Sequence, residues 1–196
     1  RHALATPEAP KTSPKPKPLT PTNTRYPMVK QARHMIASGE LGPPRKVVVE
    51  YPQGWLTEKL EDEGQKQAAW RSDPAKAGKA GAYGDIGTHA ANMAEYVSGL
   101  QITKVLSQMS KVVEGRLLDD DSSALLEFEG GVPGVLICSQ VSAGEENALK
   151  VKVYGTKGGV EWCQEDENTL LVKRYGAPNQ IYRTGVDNSY LAEAAL

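Results

Sequence analysis

Leu149-Lys150-Val151-Lys152-Val153-Tyr154-Gly155-Thr156-Lys157-Gly158-Gly159 is the stretch that decides the fold. Its first half alternates apolar and basic side chains, the pattern of a strand with one buried and one accessible face. Its second half is turn chemistry, and another apolar run follows at once. So short a connection joins antiparallel neighbours, because a parallel crossover needs about a dozen residues or more. The same texture holds from residue 103 onward. Candidate strands at 104–113, 123–129, 133–142, 148–154, 158–164, 169–175 and 179–183 are separated by Glu129-Gly130-Gly131-Val132-Pro133, Asp166-Glu167-Asn168 and Gly176-Ala177-Pro178.

Upstream the period changes. Met28, Val29, Ala32, Met35 and Ile36 recur at helical spacing, Pro27 suits a first turn, and Gly39 and Gly42 close the run, so 26–38 reads as an amphipathic helix. Lys46 to Tyr51 is a β-branched strand ended by Pro52. Residues 53–84 show little periodicity, and a structureless connection of that length reads as a binding loop or lid. Ile86, Ala90, Met93, Ala94 and Val97 mark a second helix, 86–98, closed by Gly99. The expected class is α+β: a large, mostly antiparallel sheet with helices packed on one face. Val135, Ile137, Val151, Val153, Val160 and Trp162 supply more apolar strand positions than two short helices cover. A twofold dimer through the accessible sheet face is therefore expected.

Residues 1–22 differ in kind. Pro7, Pro10, Pro14, Pro16, Pro18 and Pro21 alternate with Lys, Ser and Thr, predicting a disordered tail ahead of one domain at 23–196. Pro14 to Pro18 would also suit a polyproline-binding groove. The 196 residues carry 23 basic and 24 acidic side chains, a net charge of -1, which gives no electrostatic argument for nucleic acid or an anionic membrane. No apolar run approaches the ~20 residues that span a bilayer. Nor does the beginning of the chain have the layout of a secretory signal. Cys138 and Cys163 fall in strand-like segments and read as buried reduced thiols, which fits a cytoplasmic protein.

Chemistry concentrates in Gly81-Ala82-Tyr83-Gly84-Asp85-Ile86-Gly87-Thr88-His89-Ala90. Asp85 and His89 are four residues apart where a glycine-rich loop enters a helix, which places both on one helical face. A carboxylate there can orient the ring and stabilise its protonated form, as a general base near neutral pH requires. The alternative is a helix cap beside a surface histidine. Asp85 and His89 would also suit two ligands of a hydrolytic metal site, but a third is needed, and His2 and His34 lie elsewhere. No metal site is expected. Asp119-Asp120-Asp121 reads as a solvated acidic turn rather than a metal cradle.

Three segments carry a family resemblance: Trp70-Arg71-Ser72-Asp73-Pro74, Gly81 to His89, and Val153-Tyr154-Gly155-Thr156-Lys157-Gly158-Gly159. From about Tyr26 to Tyr190 the chain resembles the C-terminal domain of the Gfo/Idh/MocA oxidoreductases, named after glucose–fructose oxidoreductase and inositol dehydrogenase. The family places its catalytic aspartate and histidine at this D-x-x-x-H spacing. Its members begin with a Rossmann domain bearing G-x-G-x-x-G and a later Glu-Lys-Pro. Neither occurs here, and the family's Gly-Gly-Gly before the acid is altered to Gly81-Ala82-Tyr83. The resemblance thus implies the substrate and catalytic half of an NAD- or NADP-dependent dehydrogenase of a sugar or cyclitol alcohol, inactive without its cofactor domain. His89 would take the hydroxyl proton, Asp85 would fix its tautomer, and a lysine of the missing domain would complete the group. Arg71 and Trp70 would meet the polyol, with Gln53 and Trp55 as further candidates; ordinary loop anchoring is the alternative for the first pair. A non-catalytic oligomerisation or ligand-binding module derived from such an enzyme is the competing expectation. The resemblance also implies a homo-oligomer formed through the open sheet face.

Overall fold

The strand nearest the N-terminus lies at the centre of the sheet. The computed structural model describes residues 22–185 and 187–196. The expected tail at 1–22 lies outside them except for Thr22, which opens a tight turn, Thr22–Arg25. Strand β1, Pro44–Pro52, precedes β2 (Ile102–Ser110), β3 (Asp121–Phe128), β4 (Pro133–Ser139), β5 (Lys150–Gly155), β6 (Gly158–Cys163), β7 (Thr169–Arg174) and β8 (Gln180–Arg183). They form one eight-stranded sheet in the order β2-β3-β4-β1-β5-β6-β7-β8. Every pair is antiparallel except β1 with β4. The short-connection argument does not reach that pair, because most of the chain's helices lie between its members.

Helix α1, Pro27–Ala37, starts with proline at its first turn and buries Met28, Val29, Ala32, Met35 and Ile36. Residues 53–84 contain two short helices, α2 (Lys66–Arg71) and α3 (Pro74–Ala77), where the sequence predicts an unstructured lid. They are too short to show a period and are set by their caps. Gln65 accepts the Ala68 amide, and Asp73 accepts the Ala75 amide ahead of Pro74. Helix α4, Thr88–Ser98, follows a π-helical turn, Tyr83–Gly87, so the second helix begins earlier and more loosely than predicted. Gly99 closes it in the left-handed conformation (φ 73°), with its amide on the Glu95 carbonyl at 2.9 Å.

Helices α1 and α4 lie on one face of the sheet. The inner row runs Val47, Val153, Val160, Val172 across β1, β5, β6 and β7, with Trp162 stacked 5.4 Å from Tyr26. Val151, Val153, Val160 and Trp162 are therefore core residues, which corrects their expected place on the accessible face. Strand parity is the reason: Lys150 and Lys152 point outward, so their neighbours on β5 must point inward. Of the six, only Val135 and Ile137 keep exposure on the open face.

That face is divided. One row across it pairs Leu106 with Leu125, Leu125 with Val135 and Val135 with Val48, and continues to Lys152 and Glu161. The β2–β4 half has an apolar centre, with Leu106 72% and Leu125 61% exposed, bordered by the Lys104–Glu127 pair. The other half is ionic: Lys152 lies between Glu50 and Glu161, and Lys173 meets Glu161 at 2.7 Å. Among the described residues no helix is long and apolar enough to cross a membrane.

Candidate active site

One aspartate shapes the turn that presents Asp85 and His89. Asp119 Oδ1 accepts the Gly81 amide at 2.6 Å, Oδ2 accepts the Tyr83 amide at 2.7 Å, and the Asp119 carbonyl accepts the Ala82 amide at 2.9 Å. Three successive donors at the start of the π-helical turn are thus satisfied from the end of the β2–β3 connection. Ser122 Oγ adds a bond to the same carboxylate at 3.2 Å. Gly81 allows this approach, since a β-carbon there would collide with the Asp119 carbonyl. Gly87 plays a similar part against the sheet: its β-carbon would lie 3.1 Å from Cys138 Sγ.

Asp120 secures the β2–β3 connection itself and ties it to the segment before α2. It accepts the Val112 and Val113 amides at 2.7 and 3.0 Å, and holds Arg116 Nη1 at 3.2 Å. Arg116 reaches on to Glu61 at 3.0 Å and to the Glu58 carbonyl at 2.9 Å, with its side chain only 2% exposed. The predicted solvated turn is therefore corrected: Asp119 and Asp120 are buried anchors, each saturated by hydrogen bonds.

Asp85 and His89 open onto a cleft of about 400 Å³ lined by Tyr51, Gln53, Trp55, Gln67, Arg71, Asp85, Ile86, His89, Glu146 and Asn147. Arg71 Nε stands 3.0 Å from Asp85 Oδ2 without a hydrogen-bonding angle, so the contact is an ion pair. Gln140 donates to the same oxygen at 2.9 Å. The Arg71 guanidinium also bonds Gln67 Oε1 at 3.0 Å and lies 5.6 and 6.0 Å from the Trp55 and Trp70 ring centres. Among the described residues no hydrogen bond engages the half-buried His89 ring, and none joins it to Asp85. The π-helical turn carries Asp85 while α4 carries His89, so the two do not share a regular α-helical turn.

The adjoining rim is a row of polar groups. The stretch after β1 binds the stretch after β4: Gln53 N to Ser139 O at 2.7 Å, Leu56 N to Gln140 O at 2.9 Å, and Gly54 N to Glu145 O at 2.8 Å. This extension brings Trp55, Gln53, Asn147 and Tyr51 together. Trp55 Nε1 donates to Gln53, Gln53 Nε2 to Asn147 Oδ1, and Tyr51 O–H to that same oxygen. Burial, then the Asp85 charge, raises the Tyr51 phenol pKa above its usual value, so it remains a donor.

Of the residues singled out from sequence, Gln53, Trp55, Arg71, Asp85 and His89 share the cleft. Trp70 is outside it and half exposed, lining a neighbouring depression of about 350 Å³ with Arg71, Gly81, Gly84 and Asp85. Sequence reasoning missed Tyr51, Asn147, Gln140 and Asp119. Asp119 stood in a visible acidic run; the others carry no local signal, because their partners are distant in the chain. Among the described residues no three His, Cys, Asp or Glu side chains gather where a metal ion would sit.

Residues 29–161 match the GFO/IDH/MocA C-terminal domain. The uncharacterised oxidoreductase YfiI of Bacillus subtilis is 31% identical over 81% of this chain and 41% of its own length. The levoglucosan dehydrogenase of Pseudarthrobacter phenanthrenivorans is 25% identical over 87% of this chain and 47% of its length. An inositol dehydrogenase homologue from Azotobacter vinelandii, solved with NAD+, superposes with a TM-score of 0.83 and 34% identity over 90% of this chain and 45% of that one. Its complex with NADH and myo-inositol gives 0.79 and 30% over 90% and 44%. The chain spans less than half the length of the curated relatives it matches. With the fold, the D-x-x-x-H turn and these matches in agreement, the chain belongs to the Gfo/Idh/MocA oxidoreductase family and carries that family's C-terminal domain.

Proposed function

We propose that this chain forms the substrate-binding and proton-accepting half of an NAD- or NADP-dependent dehydrogenase of a sugar or cyclitol alcohol. The observation that carries the reading is the cleft, where an unengaged imidazole stands among an arginine–aspartate pair, two aromatic faces and a row of amide groups. Such a lining suits a ligand with many hydroxyls and an apolar ring face. His89 accepts the proton of the reacting hydroxyl. Asp85, held by Arg71 and Gln140, supplies a fixed negative charge beside the imidazolium that forms. Arg71 and Trp55 orient the ring.

The described residues offer a dinucleotide no phosphate seat. No strand among them runs through a glycine turn into a helix, and the glycine-rich turn at 81–87 has its leading amides already taken by Asp119. Hydride acceptance is the cofactor's chemistry, and the family assigns the cofactor to a Rossmann domain. This chain's part is binding, orientation and the proton. The reading is tested by mixing the chain with a Rossmann domain from a homologue and following nicotinamide reduction on myo-inositol and levoglucosan. His89→Ala should remove most of the turnover and leave cofactor affinity unchanged; full turnover by that variant would return His89 to a surface role.

The apolar centre of the open face supports a second part of the proposal. Leu106, Leu125, Val135 and Ile137 line one shallow depression across β2–β4, and a second copy of the chain covers it.

A further inference from the structure

An indole N–H can only donate. Trp55 Nε1 lies 3.1 Å from Gln53 Oε1, which turns the Gln53 oxygen toward Trp55 and its nitrogen toward Asn147. Gln53 Nε2 then donates to Asn147 Oδ1 at 2.8 Å, and the Tyr51 hydroxyl donates to the same atom at 2.7 Å. Both lone pairs of that oxygen are filled, and a flipped amide would set an N–H against the Gln53 N–H, which cannot accept. The orientation of both amides therefore follows from Trp55, and the Tyr51 hydroxyl donates to the oxygen it meets. The one polar group of Asn147 left over is its N–H pair, on an exposed residue that lines the cleft.

We propose that Asn147 is a specificity-determining residue, whose amide donates to an oxygen of the bound ring that acts as an acceptor. This rests on the reading of the cleft as a polyol site. A donor at this point bonds to an ether oxygen of a sugar ring and to a cyclitol hydroxyl alike, since a hydroxyl can turn its lone pair toward it. An acceptor at the same point would keep the hydroxyl and reject the ether. The breadth of substrates is thus set by the orientation of one amide, and that orientation is imposed by Trp55 through Gln53.

The test uses the chain itself, with levoglucosan and myo-inositol as probes and the amide NMR spectrum as readout. In the wild-type chain the Asn147 side-chain N–H2 signals should shift with either sugar. Asn147→Asp keeps an oxygen for Tyr51 and Gln53 but presents a second oxygen to the cleft. It should weaken levoglucosan about tenfold or more while holding myo-inositol within about threefold. Gln53→Glu leaves Asn147 intact but faces it with an oxygen. It should turn the amide over and shift the preference the same way. Binding with unchanged preference in both variants would overturn the assignment and leave the functional reading standing. A wild-type chain whose cleft signals ignore both sugars would overturn the functional reading, and this assignment with it.

Discussion

Asp119 and Gly81 are fastened together: the carboxylate takes the Gly81 amide at 2.6 Å, and the glycine leaves no room for a side chain against the Asp119 backbone. The turn bearing Asp85 and the helix bearing His89 both start from this contact. Asp119→Asn keeps the shape but replaces one acceptor oxygen with a donor facing an amide. It should cost about 1.5–3 kcal/mol, read as a lower thermal midpoint. A stability equal to wild type would show that the clamp contributes nothing.

Arg116 is a second anchor, buried between Asp120 and Glu61. Arg116→Ala strips the cation from both carboxylates and should destabilise the chain by about 3–5 kcal/mol. Amide hydrogen exchange should quicken most around Glu58 to Glu61, whose backbone Arg116 holds. Uniform quickening across the sheet would contradict that local role.

Cys138 sits under Gly87, where burial, then the charges of Asp119 and Asp121, pushes the thiol pKa up to about 12. The native thiol should resist alkylation at pH 8 and react only through unfolding. The unfolded thiol ionises near its ordinary value of about 8.5 while the folded one stays protonated. The folded chain therefore binds more protons in that window, and stability falls as pH rises from about 8.5 toward 12. Replacing Cys138 by Ala should flatten that part of the stability profile. A profile with the same slope would refute the account.

Leu106 and Leu125 face each other across β2 and β3 on the uncovered side. Leu125→Lys should convert the proposed pair of copies to a monomer while leaving the thermal midpoint of the monomer nearly unchanged. Light scattering across a concentration series reads the difference, and a wild-type monomer at high concentration would defeat the proposal.

Much of this fold was legible because its devices are local. The alternation of Lys150, Val151, Lys152 and Val153, the turn at Gly155 to Gly158, and the stripes on α1 and α4 each announce themselves within a few residues. What escaped depends on residues far apart. β1 and β4 are separated in the chain by Thr88–Ser98, which crosses the sheet between them, and nothing in Pro44–Pro52 names that partner. Asp119 looked solvated because its partners, the amides of 81–83, show no side-chain signature. The D-x-x-x-H spacing singled out Asp85 and His89, and both line the cleft. It did not reveal that Arg71 and Gln140 would engage the acid, because the π-helical turn is a tertiary outcome.

The placement of β1 also bears on how the chain must assemble. It is synthesised before both of its neighbours, β4 and β5, and sits between them. Until they arrive, the run Val47-Val48-Val49 has two open hydrogen-bonding edges and no cover, which is the condition that invites pairing with another nascent chain. Closing the sheet on this strand requires joining segments separated by much of the sequence, so folding is dominated by distant contacts and is intrinsically slow. The strand that organises the finished sheet is the one left longest at risk of aggregation.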